Sequence, residues 1–167
     1  MRRNILLGLL CGAALLMGGL PAAAQGSKAE VFLGGSFARV EGSSFGGWNT
    51  SVTGNMLPWL GVTADFSGQY NSPVNFLTYT FGPRLAVPQD SGLVPFTQAT
   101  FGAARLKVGG ASDTGFGAYI GGGLDWVARD YLAVRLMQID AQLMRIAGTS
   151  YTGTRISFGV VFRLGRY

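Results

Sequence analysis

From Ala29 onward, apolar and polar residues alternate at every second position. Between Leu60 and Tyr70, Leu60, Val62, Ala64, Phe66 and Tyr70 share one face with Gly68, and Gly61, Thr63, Asp65, Ser67 and Gln69 share the other. A period of two held over this length is a β-strand with one apolar and one polar face. The same pattern returns along the chain. Val31, Leu33 and Phe37 oppose Glu30, Gly34 and Ser36, and Trp48, Val52 and Met56 oppose Asn49, Ser51, Thr53 and Asn55. Leu77, Tyr79, Phe81, Leu85 and Val87 oppose Thr78, Thr80, Gly82 and Arg84. Thr97, Ala99, Phe101 and Ala103 oppose Gln98, Thr100 and Gly102. Phe116, Ala118, Ile120, Leu124 and Trp126 oppose Gly117, Gly121, Gly123 and Asp125. Ile156, Phe158, Val160, Phe162 and Leu164 oppose Arg155, Ser157, Gly159 and Arg163.

Between Tyr131 and Met144 the phase slips near Leu136-Met137, with Arg135 polar-facing before the slip and Gln138, Asp140 and Gln142 after it. A one-residue slip in a regular strand predicts a β-bulge. The whole pattern predicts roughly eight strands of about ten to fourteen residues and no helix. Two sets of connections alternate along the chain. Leu57 to Trp59, Pro88 to Leu93 and Ala128 to Asp130 form one; Glu41 to Gly46, Asn71 to Val74, Gly109 to Thr114 and Ile146 to Thr152 form the other. All are short enough for hairpins, so neighbouring strands are expected to be antiparallel.

Such a sheet closes in one of two ways. A soluble barrel turns its apolar face inward, whereas a membrane barrel turns it to lipid. The expected strands match the ~9–11 residues that a tilted strand needs to cross a bilayer, against about 5–6 in soluble sheets. The polar face is rich in Gly, Ser, Thr, Asn and Gln and poor in Lys and Glu, as suits a narrow lumen and not a water-facing surface. Trp59, Trp126, Tyr131 and Tyr167 fall near one set of strand ends, and Trp48, Tyr70, Phe116 and Tyr151 near the other. Two aromatic girdles at the membrane interfaces produce that placement. The fold class expected is therefore all-β: an eight-stranded antiparallel up-and-down transmembrane β-barrel. Open edges cannot survive in lipid, so the sheet must close.

Composition sharpens the picture. The chain has 167 residues, of which 27 are Gly, 48% are hydrophobic and only 13% are charged. Disorder is excluded by that balance, and one domain by length alone is expected. The first 24 residues stand apart: Arg2 and Arg3, an apolar run from Ile5 to Leu20, then Pro21-Ala22-Ala23-Ala24 before Gln25. A basic head, an apolar middle and an Ala-x-Ala end make a secretory signal peptide, cleaved after Ala24, with the barrel domain at 25–167. Cys11 follows Leu10 and not a small residue, so it is not read as a lipidation site. Cleavage removes the single Cys and leaves no disulfide. It also removes two of the 13 cationic residues, lowering the net charge from +5 to +3. The remaining cations are scattered singly, so nucleic acid is not an expected partner.

Several charges fall on the polar face: Glu30, Asp65, Arg84, Asp125, Arg135, Asp140, Arg155 and Arg163. Counting from strand ends puts Asp140 and Arg155 farther from the termini than the other six. A lone charge in a narrow lumen is costly, but paired and hydrogen-bonded charges persist. The expectation is a salt-bridge network across the lumen that plugs it, with Arg forks bonding carboxylates. At eight strands, side chains fill the interior, so bulk porin activity is excluded.

Particular stretches resemble a known family. They are Gly54-Asn55 together with Trp59 to Gly68, Phe81-Gly82-Pro83-Arg84, Pro95-Phe96 with Phe101-Gly102, Gly121 to Asp125, and Arg155 to Gly165. These are similar to the outer membrane protein A-like and protein X-like barrel domains of Gram-negative bacteria, over essentially all of the mature chain. The resemblance implies residence in the outer membrane, lipid as the surrounding partner, and a monomer. It also implies a C-terminal aromatic signal read by the barrel assembly machinery during biogenesis. Tyr167 fits the terminal aromatic and Phe162 the upstream one, although their odd spacing puts them on opposite faces. Family members have been linked to envelope integrity, adhesion and host defence. Some carry a peptidoglycan-binding domain after the barrel; the chain stops at the barrel, so that activity is not carried over.

The function expected is non-enzymatic: a structural or surface-interaction role in the envelope, without cofactor or metal. A lipid-modifying barrel enzyme using His with Ser and an acid lacks its general base, because the sequence contains no His, and Asp65 or Asp125, which could act in principle, are not expected near lipid. The alternatives are a soluble lipocalin-like carrier with its apolar face inward, and a narrow channel. Metal binding lacks both His and mature Cys.

Overall fold

The computed structural model describes residues 26–166. The signal segment 1–24 and Tyr167 lie outside the described residues. Eight strands follow one another: β1 (Ser27–Val40), β2 (Ser43–Leu57), β3 (Leu60–Asn71), β4 (Val74–Ala86), β5 (Leu93–Val108), β6 (Ala111–Arg129), β7 (Leu132–Ile146) and β8 (Thr149–Arg166). Each pairs antiparallel with the next, and β1 pairs with β8, so the sheet closes into an up-and-down barrel. Closure leaves no unpaired strand edge.

The strands run from 12 residues in β3 to 19 in β6, and β2, β5, β6, β7 and β8 are longer than the alternation predicts. The excess comes from three polar stretches read in the sequence as loops. There the turn itself is two residues long: Glu41-Gly42, Gly109-Gly110 and Ala147-Gly148. Their φ values are +46° and +84°, +54° and +97°, and +50° and +81°. Positive φ at both central positions marks the mirror-image turn whose twist matches that of the flanking strands. The Ser- and Thr-rich flanks therefore stay in the ladder. At the opposite end the β4–β5 connection, residues 87–92, is longer.

The phase slip in β7 is a bulge. The β7–β8 register shifts between Arg135 and Gln138, and Leu136 and Met137 both face outward. Arg135 and Gln138 thereby both reach the lumen.

The apolar face is outside. Leu33, Val52, Phe81, Phe101, Ile120, Leu143 and Phe158 are each 41% or more exposed, while Thr63, Asp65, Ser67, Gln138, Asp140 and Arg155 are buried within. This overturns the lipocalin-like alternative, which needs the apolar face inward. Part of this burial is offset by pairs across neighbouring strands, such as Thr53 with Thr63, Ser67 with Thr78 and Thr80 with Thr100, whereas the amides of Gln69 and Gln142 have no hydrogen-bond partner among the described residues.

Polarity inverts at the two-residue turns. There Ala38, Val40, Phe45, Phe76, Ala104, Met144 and Ile146 form a buried apolar cluster, with Val74, Leu106 and Tyr151 packed against it. Phe45 and Phe76 meet edge to face at 5.2 Å. Outside this cluster, Arg39, Ser44, Arg105, Lys107, Arg145, Ser150, Thr152 and Thr154 are exposed. Apolar inside and polar outside is the arrangement of a barrel in water. The same eight strands thus carry a lipid-type segment and, at the turn end, a water-type segment.

Candidate functional site

The lumen gathers the charged side chains into one connected chain of contacts. Near the chain termini, Glu30 on β1 accepts from Ser27 Oγ at 2.6 Å and from Arg84 Nη1 at 2.8 Å. Arg84 Nη2 donates to Asp125 Oδ2 at 2.9 Å. Arg135 grips Asp125 with two parallel bonds, Nε to Oδ1 at 2.8 Å and Nη2 to Oδ2 at 3.0 Å. That fork geometry is why Arg and not Lys suits the position.

Gln138 links this group to a second one. It accepts from Arg135 Nη1 at 2.6 Å and donates through Nε2 to Asp140 Oδ2 at 2.8 Å. Arg155, wholly buried, bridges Asp140 and Asp65, with Nη2 at 2.7 Å from Asp140 and Nη1 at 2.8 Å from Asp65. Asn49 Nδ2 completes the series by donating to Asp65 Oδ2 at 3.0 Å. Hydroxyls fill in around it: Thr53 with Thr63, Ser67 with Thr78, Thr80 with Thr100.

Seven of the eight lumen charges named from the sequence are joined by these hydrogen bonds, and the eighth, Arg163, interacts with Glu30 electrostatically. Arg163 lies on β8 opposite Glu30 in the β1–β8 register and lines a small hollow with Ser27 and Arg166. Asp65 departs from the expected grouping. Counting from strand ends sets it with Glu30 and Arg84, whereas it joins Arg155 and Asp140. Barrel strands are tilted by ~35–45° and staggered, so equal distance from a strand end is not equal height around the ring.

Aromatic ring faces meet the guanidinium groups. Arg84 stacks on Phe96 at 4.1 Å, Arg135 on Phe32 at 4.2 Å and on Phe96 at 4.4 Å, and Arg155 on Tyr119 at 4.3 Å. Each cation thus meets a π face where it lacks a carboxylate, an arrangement worth ~2 kcal/mol when desolvated. Glycines make room for the rings: a Cβ on Gly123 would strike Phe96, and one on Gly34 would strike Phe32. Phe32, Phe96 and Tyr119 were not anticipated as lumen residues. The available signal was their position: each is an aromatic residue at a place where the alternation calls for a polar one. Gln138 was legible as polar-facing, but not as the link between the two charge groups.

Among the described residues no group of three His, Cys, Asp or Glu could hold a metal ion. The lumen carboxylates Glu30, Asp65, Asp125 and Asp140 are each engaged by guanidinium groups.

The outer wall has its own order. Trp59, Trp126 and Tyr131 are exposed near one set of strand ends, and Trp48, Tyr70 and Phe116 toward the other. Between them lies the apolar belt. Phe162 faces outward on β8 at 42% exposure.

Solved structures with the same closed ring can now be compared. A neisserial barrel, surface protein A, superposes with a TM-score of 0.69 over 85% of this chain and 100% of its own, at 15% identity. The chain has the fold of the small outer-membrane barrels. Two further members of that group agree. The N-terminal barrel domain of Pseudomonas aeruginosa OprF gives a TM-score of 0.56 over 82% of this chain and 99% of its own, at 12% identity. The Yersinia pestis outer membrane protein Ail, solved in a phospholipid bilayer nanodisc, gives 0.51 over 84% of this chain and 99% of its own, at 14% identity. No protein-family model matches the sequence, and no curated protein matches it. The likeness to small outer-membrane barrels is thus one of backbone fold, with little shared sequence.

Proposed function

We propose that this chain is a non-enzymatic, integral outer-membrane barrel whose lumen is plugged by its charge network. In this reading it serves the envelope structurally or as a surface-contact element. The observation that carries it is the pairing of an exposed apolar belt with a polar, ion-paired interior. An apolar surface of that extent is unfavourable in water and favourable in lipid. The export signal expected from the sequence at residues 1–24 and the fold of the neighbours support the same location.

The plug follows from chemistry. Glu30, Arg84, Asp125, Arg135, Asp140, Arg155 and Asp65 are joined by bonds of 2.6–3.2 Å. The apolar cluster at the turn end adds a second barrier, since an ion passing Phe45, Phe76 and Met144 would shed its water without receiving ligands. During biogenesis, β8 is proposed to be read by the assembly machinery through Tyr167 and Phe162. In the membrane the barrel is proposed to be a monomer surrounded by lipid. Catalysis is not part of the reading: the sequence has no His, and the other candidate bases, Asp65 and Asp125, are tied to guanidinium groups inside the lumen, away from lipid.

Single-channel recording in planar bilayers tests the plug. Purified full-length protein is expected to insert without stable conductance. Large, long-lived openings from the unmodified chain would refute the plug and favour the channel alternative.

A further inference from the structure

One hollow on the outer wall has donors above and apolar side chains below. Tyr70, Asn75 and Lys107 are successive partners across β3, β4 and β5, and Gly68, Leu77 and Arg105 form the next row toward the belt. Strand alternation turns all six outward. Tyr70, Asn75, Leu77, Arg105 and Lys107, with Phe76, line a hollow of about 240 Å³.

Two of its donors, Tyr70 and Arg105, are held in place. Trp48 Nε1 donates to Tyr70 Oη at 3.1 Å, so the Tyr70 hydroxyl keeps its own O–H for another acceptor. Gly68 permits this, because a Cβ there would strike both rings. Arg105 Nη2 donates to Ser112 Oγ at 2.9 Å, which orients the guanidinium and engages only one of its five N–H groups. The lining holds two cations and no carboxylate. On the belt side the wall continues as Phe66 against Tyr79, 6.0 Å between centroids, and Phe81 against Phe101, 5.0 Å.

We propose that this hollow binds the phosphate headgroup of an anionic membrane lipid. Arg105, Lys107, Asn75 and Tyr70 contact the phosphate, and the acyl chains lie on Leu77 and the aromatic pairs below it. An exposed Arg–Lys pair beside an amide and a phenol matches phosphate oxygens, which accept several charge-assisted bonds at once. The apolar wall beneath matches the chains, and the polarity inversion of the barrel places the boundary between the two at this height. The inference rests on the outer-membrane reading, since only a barrel in lipid presents this wall to headgroups.

The test uses the folded full chain in neutral detergent, titrated with phosphatidic acid or phosphatidylcholine and read by native mass spectrometry. One phosphatidic acid is expected to be retained with about tenfold preference. Arg105→Gln with Lys107→Gln is expected to abolish that preference. Arg39→Gln with Arg145→Gln, the same charge loss elsewhere at the turn end, is expected to leave it. Equal loss in both variants would show diffuse attraction and overturn the site, as would the absence of any preference. Displacement of the lipid by inorganic phosphate alone would also overturn it, assigning the hollow to a soluble anion. Heat-dependent mobility in SDS, run on every sample, separates the two claims. A shifting band without lipid preference refutes only the site, whereas a wild-type band that never shifts refutes the barrel-in-lipid reading beneath it.

Discussion

Replacing Arg155 with Met removes the central cation of the second charge group and leaves its neighbours in place. Arg155 donates four bonds to two carboxylates: to Asp140 from Nε at 3.1 Å and Nη2 at 2.7 Å, and to Asp65 from Nη1 at 2.8 Å and Nη2 at 3.2 Å. Its side chain is 0% exposed, and those of Asp65 and Asp140 are 1% and 0%. Met fills part of the volume but donates nothing, so two buried carboxylates lose the cation they share. Breaking a buried pair from one side costs ~3–5 kcal/mol, whereas an exposed pair is worth ~0–1 kcal/mol. The burial decides between these, and the larger range is expected. The assay is urea unfolding of the barrel refolded into phospholipid vesicles, followed by fluorescence of the outward-facing Trp48, Trp59 and Trp126. The triple variant Arg155→Met, Asp65→Asn, Asp140→Asn removes the charges together and is expected to recover most of the loss, because a buried ionic group replaced as a whole is often nearly neutral. A loss below ~1 kcal/mol in the single variant would show these charges to be solvated, and the plug would be refuted.

Three other outcomes are expected. Ile120→Arg, in the middle of the apolar belt, should cost ~2–4 kcal/mol in the same unfolding assay, and Thr154→Arg, in the water-type segment, ~0–1 kcal/mol; equal costs would contradict the placement of the belt. Gly123→Ala should destabilise by ~1–3 kcal/mol, because the new Cβ meets the Met137 backbone carbonyl and the Phe96 ring on which Arg84 and Arg135 stack; an unchanged midpoint would contradict this close packing. Glu41, in the β1–β2 turn, accepts from the Thr152 backbone N–H and hydroxyl, and these bonds hold its carboxyl below the usual glutamate range. A depressed acid stabilises above its unfolded pKa and loses that contribution as pH falls through the folded value. Glu41→Gln should therefore speed hydrogen exchange at the Thr152 amide at neutral pH and match the wild type in strong acid, and a difference that persists in acid would contradict the assignment.

Much of this architecture is legible in the chain because a period of two fixes which residues share a face. Thr63, Asp65, Ser67 and Gln69 point inward for that reason alone, and the slip at Leu136-Met137 marks the bulge. Other features depend on relations that alternation does not encode. The polar flanks of Gly42, Gly110 and Gly148 look like loops, yet two residues at positive φ suffice to turn the chain and the ladder resumes at once. The partnership of Asp65 with Arg155 is set by strand tilt and stagger around the ring, which no single strand reveals. The inward Phe32, Phe96 and Tyr119 run against the simple pattern. Their rings carry the guanidinium groups, and Gly34 and Gly123 give two of them their space. The apolar cluster at the turn end likewise inverts the rule that holds along the belt, since the wall there no longer meets lipid.

The most direct measurement separates cell envelopes into outer-membrane and periplasmic fractions and runs each on SDS gels with and without boiling. A closed barrel with its apolar belt in lipid is expected in the outer-membrane fraction, with a band that changes mobility only after heating. A soluble periplasmic protein with a single, heat-independent band would contradict the lipid-facing barrel, and with it the plug and the headgroup site.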